Sequence, residues 1–131
     1  MTVIHAYSKT KNGAQKLSPN FRVREFACSD GSDPVFIAPA LVEVLQAIRD
    51  HFGAAVTVHS GYRTPGKNKS CGGAAYSQHL YGTAADISVR GVDSAKVAAY
   101  ARSLLPASGG VGRYPTFTHV DVRPQKADWK G

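Results

Sequence analysis

Residues 77–89 read SQHLYGTAADISV and carry much of the information in this 131-residue chain. The second part, Ala84–Val89, predicts a strand, and Gly82 just before it is typical of a tight turn. His79 and Asp86 are seven residues apart, so they are not spaced as an i, i+4 pair on one helix face. A turn at Gly82 would instead fold both side chains toward one point.

Helix and strand signals continue on both sides of this stretch. The clearest helix is predicted over residues 39–52, where apolar residues recur at helical spacing and Gly53 stands at the position expected for a C-terminal cap. A turn-rich loop is expected from Ser60 onward. The other predictions are a strand at 55–59, a helix at 94–105 capped by Asp93, and two short strands near 110–114 and 117–122. Together they predict a single α+β domain with a small, largely antiparallel sheet packed with helices.

Composition and charge narrow the class of protein. The length fits one domain, and no apolar run approaches the roughly 18 to 20 residues that span a bilayer. The amino end lacks the apolar region of a secretory signal, so we expect a soluble protein without an export signal of its own. A net charge of +7 favours anionic partners, but the cations are too dispersed to indicate nucleic-acid binding.

The ends of the chain and its two cysteines lead to two further predictions. We expect a basic N-terminal segment over residues 1–20, followed by the folded domain over 21–131, with solvated tails at 1–16 and 126–131. Cys28 and Cys71 are too few for a disulfide framework. They are expected to be thiols, with one bridge between them left open.

A third potential metal ligand, His119, lies far along the chain in the sequence THVDV. Two imidazoles and one carboxylate suit Zn²⁺ and leave a fourth position for water, a pattern typical of amide hydrolysis. Side chains two apart on a strand share a face, so His119 and Asp121 should point the same way while Val120 packs into the core. Taken alone, that pair is also compatible with ordinary solvent-facing residues.

Three segments resemble the zinc D-alanyl-D-alanine carboxypeptidase and murein endopeptidase family, which shares its fold with the hedgehog amino-terminal domain. They are SGYRT at 60–64, SQHLYGTAAD at 77–86 and FTHVDVR at 117–123. FRVREFAC and APALVEVLQAIRDHFG are similar to the branch of small bacterial and bacteriophage enzymes, so the resemblance covers about residues 21–129. The pattern SxHxxGxAxD followed by HxD is specific as a combination.

The resemblance implies roles for particular residues. It implies one zinc ion per chain, held by His79, Asp86 and His119. Arg63 matches the arginine that binds a substrate carboxylate or stabilises the developing oxyanion. Ser77 matches a residue that contacts the substrate near the metal.

One position departs from the family pattern. Many members carry Glu or Asp three residues before the final histidine as general base, and Thr116 stands there in this chain. Asp121 is our candidate for the general base, with a carboxylate that could reach the zinc-bound water. Its other possible role is to orient His119. His59 is a weaker candidate for the base. A further alternative has Asp121 bind zinc while His119 acts as the base.

The resemblance therefore implies a monomeric, zinc-dependent murein peptidase acting on peptidoglycan peptides, without nucleic-acid or membrane partners. The enzyme would be of the carboxypeptidase or endopeptidase type and would act at the bacterial cell wall or periplasm. A bacteriophage endolysin is one setting that fits this expectation. Thr116 keeps open a non-catalytic, zinc-containing wall-binding module. A metal-free nucleic-acid binder is a third interpretation. An Fe(II) oxygenase is disfavoured because no histidine follows His119.

Overall fold

Nine strands and four helices form in residues 2–131, the part of the chain that the computed structural model describes. The helices are α1 (Lys9–Asn12), α2 (Pro39–Phe52), α3 (Pro65–Ser70) and α4 (Ser94–Leu104). The strands are β1 (His5–Ser8), β2 (Lys16–Ser18), β3 (Phe21–Arg22), β4 (Pro34–Ile37), β5 (Val56–Ser60), β6 (Ala84–Val89), β7 (Gly110–Arg113), β8 (Thr118–Asp121) and β9 (Ala127–Lys130). Two 3₁₀ turns lie at Val23–Phe26 and Gln78–Tyr81.

The main sheet has the strand order β5-β6-β8-β7-β9 within the described residues. Its neighbours pair antiparallel except for β7 and β9, which run parallel. Two small antiparallel pairs, β1 with β4 and β2 with β3, lie outside it. The predicted α+β class with a small, largely antiparallel sheet is confirmed.

Helix α2 anchors the core. It begins at Pro39, whose fixed φ suits a first helical turn, and it ends at Gly53, whose φ of 60° places it in the left-handed region. Its buried face consists of Leu41, Val42, Leu45 and Ile48. These side chains join one hydrophobic cluster with Ile87 of β6 and Val120 of β8, so the helix and the central strands are held together by apolar burial.

The loop after β5 contains a helix, which its turn-forming residues did not predict. Residues 65–70 form α3, because the side chain of Thr64 accepts a hydrogen bond from the backbone N–H of Lys67 and Pro65 occupies the first turn. By contrast, Asp93 stands at the predicted cap of α4 without a capping hydrogen bond from its side chain. Side-chain capping therefore accounts for the start of α3, whereas α4 begins where predicted without it.

The expectation of solvated tails is corrected at both ends of the described residues, and Met1 lies outside them. Residues 5–8 pair with β4 and residues 16–18 pair with β3, so the expected boundary at residue 20 cuts through hydrogen-bonded strands. Tyr7 and Leu17 pack against the hydrophobic core, which explains why this basic segment folds onto the domain. At the other end, β9 completes the main sheet.

Two further expectations concern cysteines and membranes. Both cysteines are free thiols: Cys28 is buried and Cys71 is exposed. Across residues 2–131, the helices fall short of the length and apolar character that crossing a bilayer requires.

Candidate metal centre

A single row of residues crosses the main sheet and forms the floor of the site. Register places Ser60 opposite Asp86, Asp86 opposite His119, His119 opposite Gly112, and Gly112 opposite Trp129. Directly opposed residues project from the same face of a sheet. The row therefore brings a carboxylate, an imidazole and an indole from distant parts of the chain onto one surface.

His79 reaches this row from the 3₁₀ turn above β6. The hydroxyl of Ser77 accepts a hydrogen bond from the backbone N–H of His79, and Gly82 ends the turn with a φ of 72°. The carbonyl of Gly82 also accepts a hydrogen bond of 2.9 Å from the backbone of Ala38 at the start of α2. The predicted turn at Gly82 is confirmed, and it directs His79 and Asp86 toward each other.

Three donor atoms converge as the sequence indicated. One ligating atom from each of His79, Asp86 and His119 lies within 4.8 Å of the other two, and all three residues are buried. Nε2 of His79 lies 3.3 Å from Oδ2 of Asp86, and Nδ1 of His119 lies 2.9 Å from Oδ1. Two imidazole nitrogens and a carboxylate oxygen are a donor set that suits zinc.

The ring nitrogen of each histidine that points away from Asp86 has a hydrogen-bond partner of its own. Nδ1 of His79 lies 2.7 Å from the carbonyl oxygen of Gly61, and Nε2 of His119 lies 2.8 Å from Oδ2 of Asp121. Metal-ligating histidines characteristically donate their outer N–H to a carbonyl or a carboxylate, which fixes the tautomer. Both rings thus present a nitrogen toward Asp86, and the residues present fit a bound metal ion.

The electrostatics of the cluster favour charged groups despite burial. Burial opposes the ionised carboxylate of Asp86, but hydrogen bonds with His119 and His79 outweigh it and hold the pKa of Asp86 well below its usual range. Burial also opposes a charged His119, whereas hydrogen bonds with Asp121 and Asp86 raise the pKa of His119. Asp86 is therefore ionised at neutral pH, and a metal ion would take the place of a proton on His119.

Asp121 lies behind His119. The two side chains share a face of β8 as predicted, but Asp121 is fully buried and does not line the pocket above the row. Its Oδ1 accepts hydrogen bonds from the backbone N–H groups of Gly110 and Arg123, and its Oδ2 faces His119. These partners engage both carboxylate oxygens.

The other residues considered for proton transfer lie elsewhere. Thr116 is exposed and outside the pocket, and His59 is exposed with its Nε2 2.7 Å from the hydroxyl of Ser88. The alternative ligand set with Asp121 in place of His119 is disfavoured because the converging donors come from His79, Asp86 and His119.

The pocket above the row is an open cleft with a volume of about 570 Å³. Arg63 and Ser77 both line it. Nη2 of Arg63 lies 3.3 Å from Oδ2 of Asp86, and its Nε donates a 3.0 Å hydrogen bond to the hydroxyl of Ser60. The pocket therefore combines the three converging donors with a fixed positive charge.

Sequence reasoning assigned no role to two residues that line the cleft, Arg123 and Trp129. The Trp129 ring centroid lies 5.0 Å from that of His119, and its indole N–H donates a 2.9 Å hydrogen bond to the hydroxyl of Tyr114. Arg123 lies over the same indole, with its Cζ 5.3 Å from the ring centroid. The available signals were the lone tryptophan of the chain and an arginine two residues after HxD.

Comparison with known proteins adds an independent finding. A family model described as Peptidase M15 matches residues 16–121. A protein of Haemophilus influenzae, named Probable peptidoglycan L,D-endopeptidase MepK, is 39% identical over 103 residues. That alignment covers 71% of this chain and 54% of the relative, so the chain spans about half the length of the curated protein it matches.

Proposed function

The chain belongs to the peptidase M15 family, and from this premise we propose that it is a zinc-dependent peptidase that hydrolyses an amide bond in the stem peptides or cross-links of peptidoglycan. The observation that carries the proposal is the convergence of His79, Asp86 and His119 within 4.8 Å, at the floor of an open cleft. Each histidine also has its outer nitrogen anchored, as a ligand requires.

Each residue of the site receives a role. We propose His79, Asp86 and His119 as the ligands of one zinc ion per chain. Bound zinc supplies Lewis-acid chemistry, because it polarises a carbonyl and lowers the pKa of water toward neutrality. Asp121 holds His119 in the orientation that ligation needs.

Arg63 and Ser77 act on the substrate. The Arg63 guanidinium is held by Ser60 and lies beside Asp86, so it places positive charge at the edge of the ligand cluster. There it binds a substrate carboxylate or stabilises the oxyanion that develops during hydrolysis. Ser77 lines the same cleft next to His79 and contacts the bound peptide.

The peptidoglycan substrate is supported by the printed name of the Haemophilus influenzae relative and by charge. A net charge of +7 favours encounter with a wall polymer that carries carboxylates. The relative is named an endopeptidase, which favours cleavage of an internal bond over release of a terminal D-alanine. We propose action at the bacterial cell wall or periplasm by a monomer, with a bacteriophage endolysin as the biological setting.

The test combines metal content with products. Purified protein is analysed for zinc and incubated with purified peptidoglycan, and the soluble fragments are weighed by mass spectrometry. We expect about one zinc per chain and released stem-peptide fragments, with both lost in His79→Ala. His5→Ala, which removes an exposed histidine outside the cleft, serves as the matched control and should retain both.

The outcomes separate the alternatives. The fragment masses identify the cleaved bond and so distinguish carboxypeptidase from endopeptidase activity. Zinc bound without any product would support the wall-binding module instead. Protein that binds no zinc would overturn the ligand assignment.

A further inference from the structure

Arg123 holds the buried carboxylate behind the candidate metal centre. Its Nε lies 2.9 Å from Oδ1 and 3.0 Å from Oδ2 of Asp121, and its Nη2 lies 2.6 Å from Oδ2. The guanidinium therefore engages both carboxylate oxygens, a two-point geometry that lysine does not reproduce. Oδ2 is the oxygen that faces Nε2 of His119.

Trp129 fixes the other side of the guanidinium. The Cζ atom of Arg123 lies 5.3 Å from the centre of the indole ring, within the range of a cation–π contact. The indole is held in turn by its hydrogen bond to Tyr114. Arg123 is thus fixed between a buried carboxylate and an aromatic face.

A buried carboxylate needs this compensation. Asp121 is fully buried, and an ionised group without charged partners is costly in that environment. Hydrogen-bonding contacts with His119 and the Arg123 guanidinium supply that compensation. Without the guanidinium, backbone N–H groups would still hold Oδ1, but Oδ2 would keep His119 as its one hydrogen-bond partner, so its position toward the imidazole would be less restrained.

We propose that Arg123, supported by Trp129, is a positioning residue that orients His119 through Asp121. The relay runs from the Arg123 guanidinium to the Asp121 carboxylate, then to the Nε2–H of His119, and leaves Nδ1 toward Asp86. Both Arg123 and Trp129 lie beyond residue 121, where the family match ends. The part of this inference that concerns metal affinity rests on the proposed function.

The first experiment uses metal-free protein. In ¹H–¹⁵N spectra of the histidine side chains, the wild type should show a His119 Nε2–H signal protected from exchange by Asp121. In Arg123→Ala, that signal should be lost to exchange with water. Arg123→Lys keeps the charge but lacks the two-point geometry, so its signal should be weakened.

The second experiment measures zinc affinity by competition with a chelator. Changes to residues that orient a ligand cost 10- to 100-fold in metal affinity, and Arg123 acts one contact further away. We therefore expect Kd to rise about tenfold in Arg123→Ala. Arg90→Ala, which removes an exposed arginine after β6, is the matched control and should match the wild type in both experiments.

Each result decides between the proposals. An unchanged His119 signal in Arg123→Ala would overturn the relay even if zinc binding weakened. If Arg123→Ala does not fold, the same signal in Arg123→Lys decides, and an unchanged signal again overturns the relay. A wild type that shows the protected signal but binds no zinc would refute the proposed function while supporting the positioning of His119.

Discussion

Asp121 and His119 lie two residues apart on β8, and Oδ2 of the first is 2.8 Å from Nε2 of the second. In Asp121→Asn, an NH2 group replaces one carboxylate oxygen, so either His119 or the backbone N–H groups of Gly110 and Arg123 face a donor in place of an acceptor. We expect zinc affinity to fall about 10- to 100-fold, measured by chelator competition. Asp128→Asn, at an exposed ion pair with Arg102, should leave it unchanged.

The same variant separates the two roles considered for Asp121. If Asp121→Asn kept wild-type zinc affinity and lost peptidoglycan hydrolysis, Asp121 would act on a proton in the reaction. Loss of zinc affinity together with hydrolysis is the result that the buried position predicts.

The absence of a side chain at Gly112 leaves room for the Trp129 ring beside His119. A Cβ atom at residue 112 would collide with Cε2 and Nε1 of the indole, so Gly112→Ala must push the ring away. We expect the fluorescence of the one tryptophan to shift to longer wavelength and peptidoglycan hydrolysis to fall. The control is Gly66→Ala, where a new Cβ meets open space. Unchanged fluorescence in Gly112→Ala would contradict the packing of Trp129.

Gly82 is required by both conformation and space. Gly82 and Gly91 share a φ of 72°, but a Cβ at residue 82 would also overlap the carbonyl of Phe36, whereas one at residue 91 meets nothing. A left-handed conformation costs an L residue about 1–2 kcal/mol, so Gly91→Ala should lower the free energy of unfolding by that amount. Gly82→Ala should lower it further, in urea unfolding of the metal-free protein. Equal losses in the two variants would show that the overlap is relieved without cost.

The Asp33 carboxylate should stabilise the folded protein in a way that depends on pH. Hydrogen bonds from Thr10 and Ser8 lower the pKa of Asp33 to about 2, from 3.8. Because the folded pKa lies below the unfolded one, this stabilisation is fully present above about pH 4 and is lost as the pH falls toward 2. The urea midpoint of Asp33→Asn should therefore lie below that of the wild type at pH 7 and approach it near pH 2.

The matched control for this series is Asp93→Asn, since the Asp93 side chain makes no capping hydrogen bond. A midpoint difference for Asp33→Asn that stays constant between pH 7 and pH 2 would contradict the role of the carboxylate charge.

Removal of zinc should lower the Tm of the whole domain. The proposed ligands join the turn after α3 to two central strands, and a ligand that binds the folded state alone stabilises it by mass action. Added zinc should raise the Tm of the chelator-treated wild type. It should not raise the Tm of His79→Ala, and an equal rise in both would place the stabilising metal elsewhere.

Local patterns predicted the central part of the molecule. The apolar spacing of α2, its end at Gly53 and the position of β8 depend on short segments, so the sequence predicted them well. The turn at Gly82 followed from a glycine between His79 and a strand. These features suffice to bring the three donors together.

Pairing between distant segments of the chain was harder to predict from the sequence. Strand β1 pairs with β4 across some 30 residues, and β9 joins the sheet parallel to β7. Neither ADWK nor HAYS carries a strong strand signal, because packing against the rest of the domain determines both strands. For the same reason, the place of Trp129 and the occupied carboxylate of Asp121 were not predicted from local sequence.

The opposition of Asp86 and His119 across β6 and β8 has a consequence for folding. If β8 slipped by one residue, each of its side chains would exchange faces, and His119 would point into the hydrophobic core. A slipped sheet therefore lacks the proposed ligand set. Metal binding would select the correctly registered chain and act as a thermodynamic check on how the sheet is assembled.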